Sequence, residues 1–242
     1  EKTNIRMENE EVAIINLKRI VGRNLHHEVM TDAYAMLAQA YINLEQKDSA
    51  IIPLKIASNI SKDFEKKGRY NYIIGQLYNE KGMLDSANMA FDKILGYNRK
   101  TPRAYLINAY IAKTLNKFKT QPQDYTLREE LEKMERNREN RPFLGPLYRL
   151  NALYYMQYDS LDQAALYFNK SLRNAHQDKG LLYRNYQALG TMYFDNSAYR
   201  LAGAYYDSTL TYLPNNTKLY RVLSRKRDNL DDVIMYEEMV SR

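Results

Sequence analysis

Four stretches of this chain repeat one spacing of residue types without variation. Ala38, Gly75, Ala152 and Gly190 are each followed three positions later by Tyr41, Tyr78, Tyr155 and Tyr193, and twelve positions later by Ala50, Ala87, Ala164 and Ala202. Large side chains come four residues further on, at Leu54, Phe91, Phe168 and Tyr206, and then Ala57, Ile94, Ser171 and Thr209 three residues beyond them. Two antiparallel helices satisfy this order. A small residue on each lets the backbones approach at one crossing, and the larger side chains fill the adjacent holes. Tyr34, Tyr148 and Tyr186 lie four positions ahead of three of the small residues, which completes an i, i+4, i+7 stripe on the first helix. In the second window Asn71 holds that place, between Tyr70 and Tyr72.

This order of small, Tyr, small, large apolar resembles the tetratricopeptide repeat. The fold expected is an all-α, right-handed superhelical solenoid of antiparallel helix pairs over 1–242, cut from a longer protein. A partial leading pair occupies 1–30, with Val12, Ile15, Leu17, Ile20 and Val21 on a helix over 10–24. Repeats follow at 31–66, 68–101, 102–141, 145–180 and 183–216, and capping helices at 217–242. Offsets of 37 and 38 residues between neighbouring windows exceed the usual 34 and imply slightly extended linkers. Asp48, Asp85 and Asp162 mark second-helix starts as capping residues. Pro53 falls inside a second helix and should bend it unless it occupies the first turn. The 102–141 pair is irregular, with Tyr105, Ala109 and Ala112 on a degenerate first helix and a long loop through Pro122. Thr126 and Glu129 form a capping-box pattern for its partner. At the end of the chain, Leu219, Leu223, Leu230, Ile234 and Met235 are expected to cover the last pair.

Composition narrows the function. Hydrophobic residues make up 45% and Gly and Pro together are few, which excludes disorder. No uncharged apolar run is long enough to span a bilayer. Cysteine is absent, which removes disulfides, thiolate catalysis and the usual structural zinc sites. The net charge of +7 is spread among 29 acidic residues and reads as a solvated surface rather than a nucleic-acid stripe.

Searches for chemistry return nothing. His26 and His27 are adjacent and His176 stands alone, which is not helical metal spacing. No phosphate-cradling glycine loop and no nucleophile elbow occurs; Gly68, Gly75 and Gly82 lack that context. The acidic run from Glu129 to Glu139 is interleaved with Arg128, Lys133, Arg136 and Arg138, as on a self-compensated exposed helix. The 23 tyrosines fall mostly at packing positions, which favours core over base-stacking platforms. No catalytic residue, cofactor site, metal site or small-molecule substrate is expected.

The concave face, lined by first-helix residues next to the packing ones, remains as the candidate contact surface. By register it comprises Gln39, Ile42 and Asn43; Tyr72, Gln76 and Asn79; Leu106, Tyr110 and Lys113; Arg149, Leu153 and Met156; and Gln187, Thr191 and Phe194. That mixture of amide, aromatic and aliphatic groups suits a peptide segment of another protein. Arg136 and Arg138 of the irregular pair are further candidates.

Several segments resemble a particular family. These are Arg69 to Tyr78, Asp85-Ser86-Ala87-Asn88, the junction Arg138-Glu139-Asn140-Arg141-Pro142-Phe143, and Leu201 to Leu210 with its Ala-Gly-Ala-Tyr-Tyr-Asp-Ser-Thr-Leu run. They are similar to the gliding-motility and type IX secretion lipoproteins called SprE or PorW. The resemblance implies a periplasmic, outer-membrane-associated connector that joins secretion or motility components, with any membrane anchor lying outside this chain. A cytoplasmic tetratricopeptide adaptor or regulator is the alternative, and an RNA-binding helical repeat a third reading.

Overall fold

The computed structural model describes residues 9–23, 25–121, 124–175 and 178–240. Asn24, Pro122 and His176 lie outside the described residues. Helices run as α1 (Glu10–Val21), α2 (His27–Asn43), α3 (Lys47–Ile60), α4 (Phe64–Glu80), α5 (Leu84–Gly96), α6 (Arg103–Thr120), α7 (Thr126–Arg136), α8 (Leu144–Gln157), α9 (Leu161–Arg173), α10 (Lys179–Asp195), α11 (Tyr199–Tyr212) and α12 (Lys218–Val240). Short 3-10 turns occupy Asn98–Lys100 and Arg138–Phe143, and no strand occurs among the described residues.

The chain forms two compact units, Glu1–Thr120 and Gln121–Arg242. Within the first, each helix from α1 to α6 packs on the next, and α4 also touches α6. Within the second, α7 to α12 follow the same rule, and α8 touches α10. Contact between alternate helices is what a stack of pairs requires, since each first helix must meet the first helix of the next pair. The pair expected over 102–141 is divided, with α6 in the first unit and α7 in the second.

The repeated small residues do what their spacing implies. Ala38 and Ala50 are fully buried in one core cluster with Leu54 and Ala57, and Ala152 and Ala164 in another with Phe168. The two glycines mark closer approaches. A β-carbon placed on Gly75 would lie 2.3 Å from Cε1 of Phe91, and one on Gly190 would lie 2.6 Å from Cδ1 of Tyr206. Both rings are themselves fully buried, so each fills the space that a methyl on the opposite helix would need.

The turn inside each regular pair is also invariant. The residue seven positions after the small one, Glu45, Gly82, Asp159 or Ser197, has positive φ, at 58°, 74°, 51° and 60°. In each case the next amide reaches back to the carbonyl of the repeat tyrosine: Gln46 to Tyr41 at 2.9 Å, Met83 to Tyr78 at 2.9 Å, Ser160 to Tyr155 at 3.1 Å and Ala198 to Tyr193 at 2.9 Å. This is a Schellman closure, which returns the chain within three residues and satisfies the last carbonyls of the first helix. Only Gly82 uses glycine, so the other three turns hold an L side chain in a region it disfavours.

Several sequence expectations are corrected. Asp48, Asp85 and Asp162 are not caps: Gln46, Met83 and Ser160 hold the N-cap positions and make no side-chain cap bond. The aspartates lie in the first turn, where a carboxylate complements the helix dipole. Side-chain caps occur between pairs instead, where Asp63 accepts from the Glu65 amide at 2.8 Å and Asp178 from the Leu181 amide at 2.9 Å. At α7 the capping oxygen belongs to Asp124, which accepts from the Thr126 amide at 2.9 Å and its hydroxyl at 2.6 Å. The helix α3 continues past Pro53, which is buried. Beyond α11 one helix forms: Leu223 and Leu230 are buried on it, while Leu219 and Met235 are exposed.

The turns give a direct test. Glu45→Gly, Asp159→Gly and Ser197→Gly should each stabilise the protein by up to about 1 kcal/mol in urea unfolding. Gly82→Ala, where an added methyl meets no atom within 4 Å, should cost about the same through backbone conformation alone.

Candidate functional site

First helices of successive pairs are stitched together by polar side chains 34 to 37 residues apart. Lys66 Nζ on α4 pairs with Asp32 on α2 at 2.8 Å. Asn116 Nδ2 on α6 donates to Asn79 Oδ1 on α4 at 2.7 Å and to Asn88 Oδ1 on α5 at 2.9 Å. Arg149 Nη1 on α8 donates to the Arg184 carbonyl at 2.9 Å and to Asn185 Oδ1 at 3.0 Å on α10. Asn116 and Asn185 are buried, and each bond satisfies a group whose burial alone would be costly.

Within the first unit, Gln39 and Asn43 are exposed and linked, Gln39 Nε2 donating to Asn43 Oδ1 at 2.8 Å and Asn43 Nδ2 to Glu10 Oε1 at 2.8 Å. Ile42 is half-buried against the core cluster around Ala38. Gln76 is exposed. Tyr72 lies 6.0 Å from the Phe91 ring, and Asn79 is held by Asn116. Tyr110 and Lys113 are half-buried, with Lys113 paired to Asp92. Leu106 departs from expectation: it is 7% exposed, in the core with Phe91 and Ile94, and offers no contact surface.

Within the second unit, Leu153 and Met156 are half-buried against the Ala152 and Phe168 core. Gln187 and Thr191 are half-exposed. Phe194 is occupied by its own chain, edge-on to Tyr199 at 5.6 Å and under Lys226 Nζ at 3.8 Å. Arg136 is exposed and pairs with Glu132 at 3.3 Å, and Arg138 is exposed in the following 3-10 turn.

Arg149 is the electrostatic anomaly of this row. Desolvation and the neighbouring Arg184 lower its pKa to about 10. Its guanidinium gives its hydrogen bonds to a carbonyl and an amide oxygen and lies 5.8 Å over the Phe168 ring. No motif marks this arrangement, because the partners are 35 and 36 residues away.

The tyrosines pair with one another. Tyr193 and Tyr205 stack at 5.4 Å, Tyr155 and Tyr167 at 5.3 Å, and Tyr186 and Tyr212 at 5.8 Å. Lys170 Nζ lies 4.3 Å over Tyr167. Burial first, and Glu135 second, push the Tyr167 phenol up to about 12, and burial, with Tyr158 close by, does the same for Tyr154.

A cavity of about 220 Å³ in the first unit is lined by His26, His27, Lys62 and Lys66 among others. Lys66 is already paired with Asp32, and Asp63 caps α4. Among the described residues no cluster of three or more metal-ligating side chains occurs, and no helix is long and apolar enough to cross a membrane.

No family model and no curated protein matches the chain. Among solved structures, Pseudomonas aeruginosa PilF superposes with a TM-score of 0.55 at 16% identity, over 85% of this chain and 86% of that one. The chain is an all-α tetratricopeptide solenoid. The tetratricopeptide domain of P58(IPK) matches with a TM-score of 0.38 at 16% identity, over 95% of this chain and 63% of that one. The TPR2AB domain of yeast Sti1, solved in complex with pHSP90, matches with a TM-score of 0.40 at 16% identity, over 95% and 93%.

The perturbed phenols make a pH prediction. Tyr154 and Tyr167 hold their protons more tightly folded than unfolded, so their contribution is complete below about pH 10 and is lost as pH climbs towards 12. Arg149, with its folded-state pKa lowered to about 10, acts in the opposite direction over that range. A Tyr154→Phe/Tyr167→Phe variant keeps Arg149. Its urea-unfolding stability should therefore fall less steeply above pH 10 than that of the parent.

Proposed function

We propose that the chain is a non-enzymatic scaffold that holds segments of other proteins along its first-helix faces. The observation that carries this is the pre-ordered row within each unit. Within the first unit, first helices are fixed to one another by Lys66–Asp32 and Asn116–Asn79, beside exposed Gln39 and Gln76, and within the second by Arg149–Asn185, beside half-exposed Gln187 and Thr191, so that each unit presents its own set of polar groups in fixed places. Amide and hydroxyl groups so placed can both donate to and accept from an extended peptide backbone, and a rigid row lowers the entropy lost on binding.

The resemblance of the Arg138–Phe143 junction and the Leu201–Leu210 helix to gliding-motility and type IX secretion lipoproteins supports a finer reading. On it, the partners are components of the secretion or motility machinery, and the protein acts on the periplasmic side of the outer membrane. Arg136 and Arg138, exposed at the end of α7 and the turn that follows, then add a charged contact outside the regular pairs.

Capture from detergent-solubilised envelope of the source organism tests both levels. The expected result is recovery of secretion or motility proteins, identified by mass spectrometry. Recovery should drop at least about tenfold with Gln76→Lys and Thr191→Lys combined, a loss of about 1.4 kcal/mol. Charge reversal at Arg136 and Arg138 should weaken it further. Recovery of cytoplasmic proteins alone would overturn the finer reading, and salt-dependent retention of RNA without protein would overturn the broader one.

A further inference from the structure

The last helix carries two faces, and the fold uses one. On the inner face Leu223 and Leu230 are buried with Ala202 and Tyr206 of α11, Ile234 packs beside them, and Arg227 Nε pairs with Asp207 at 2.8 Å. The outer face exposes Val222 at 55%, Tyr236 at 62% and Met239 at 62%, with Val233 at 36%. Arg225, Asn229 and Asp232 stand between them, all exposed. Apolar groups at this spacing form a second amphipathic stripe, of the kind that marks an interface.

Charge along α12 is segregated. Its first half carries Lys218, Arg221, Arg225, Lys226 and Arg227, and its second half Asp228, Asp231 and Asp232, followed in the sequence by Glu237 and Glu238. The first turn holds no acidic residue and the last turn no basic one. This opposes the helix dipole, which favours carboxylates at the N-terminus and cations at the C-terminus. Helix α1 follows the favourable pattern, with Glu10 and Glu11 in its first turn and Lys18 and Arg19 in its last. Arg227 is paired within the chain to Asp207 and Asp231, and Lys226 lies over the Phe194 ring; the segregated charges left to the outer surface are Lys218, Arg221 and Arg225 in the first half and Asp228 and Asp232 in the second, all exposed.

We propose that the outer face of α12 pairs with α12 of a second copy of the chain, antiparallel, about a two-fold axis near Asn229. That arrangement lays the basic half of each helix on the acidic half of the other and opposes the two dipoles. It sets Val222 of one copy against Tyr236 of the other, Arg225 beside Asp232, and Asn229 against its own symmetry mate. A two-fold contact of this kind is self-complementary by construction. One helix pair is a small interface of the weak, reversible class, and its charges make it sensitive to salt.

The full chain is suited to the test because it has no cysteine. Sedimentation equilibrium over a concentration series should show reversible conversion from 28.6 kDa to twice that mass, favoured at low salt. Arg225→Glu and Asp232→Arg, both at exposed positions, should each abolish the dimer while leaving helical circular dichroism unchanged. The double variant Arg225→Glu/Asp232→Arg should restore it, since the swap recreates complementarity only when a helix faces its own copy in reverse. Asn229→Cys should oxidise readily to a covalent dimer, as a disulfide needs α-carbons within about 7 Å. A mass of one chain at every concentration and salt overturns the proposal. So does a dimer that ignores both charge reversals, or an α12 face covered only when a different protein is added.

Discussion

Close approach between two helices at one point per pair is the constraint on which the structure depends. Each first helix offers Ala38, Gly75, Ala152 or Gly190 at the crossing, and the second helix answers with Leu54, Phe91, Phe168 or Tyr206. Where the small residue is glycine, the opposing ring occupies the volume of the missing methyl. That contact sets the separation of the pair, and the Schellman turn seven residues later sets its direction of return. Once both are fixed, the helices that follow have one place to pack, and a stack results.

The elements were legible in the sequence because this constraint repeats. Spacing alone located the regular pairs, the leading helix and the degenerate helix now seen as α6. Three features stayed hidden, each for a physical reason. Glu45, Asp159 and Ser197 adopt left-handed conformations without being glycine, so the turns carried no composition signal. Side-chain bridges such as Asn116 to Asn79 join residues in different repeats, where no local pattern can show them. Leu106 stands among the predicted contact positions yet is buried, because it lies three residues before Ala109, the place from which Tyr72 and Arg149 reach the Phe91 and Phe168 rings of the neighbouring second helices.

Of the candidate surface, the sequence named the residues and the structure sorted their roles. Asn79, Arg149 and Asn43 help fix the helices, Phe194 is covered by Lys226, and Gln39, Gln76, Gln187 and Thr191 remain available for contact. A helix face built this way separates two tasks. Side chains bonded across helices, exposed Asn43 as well as half-buried Asn79 and Arg149, hold the frame, and neighbours outside those bonds, such as exposed Gln76, can change at little cost in stability. The same division recurs on α12, where one stripe serves the fold and the other is left for association.

The most direct measurement is a double-mutant cycle between Gly190 and Tyr206. If the ring excludes a methyl, Gly190→Ala should destabilise the parent by roughly 1–3 kcal/mol through overpacking. In a Tyr206→Leu background, which restores the Ala and Leu combination of the first pair, the same change should cost little, or stabilise by up to about 1 kcal/mol through helix propensity. Equal costs in both backgrounds would contradict the account, because the crossing would then not be set by the contact between that glycine and that ring.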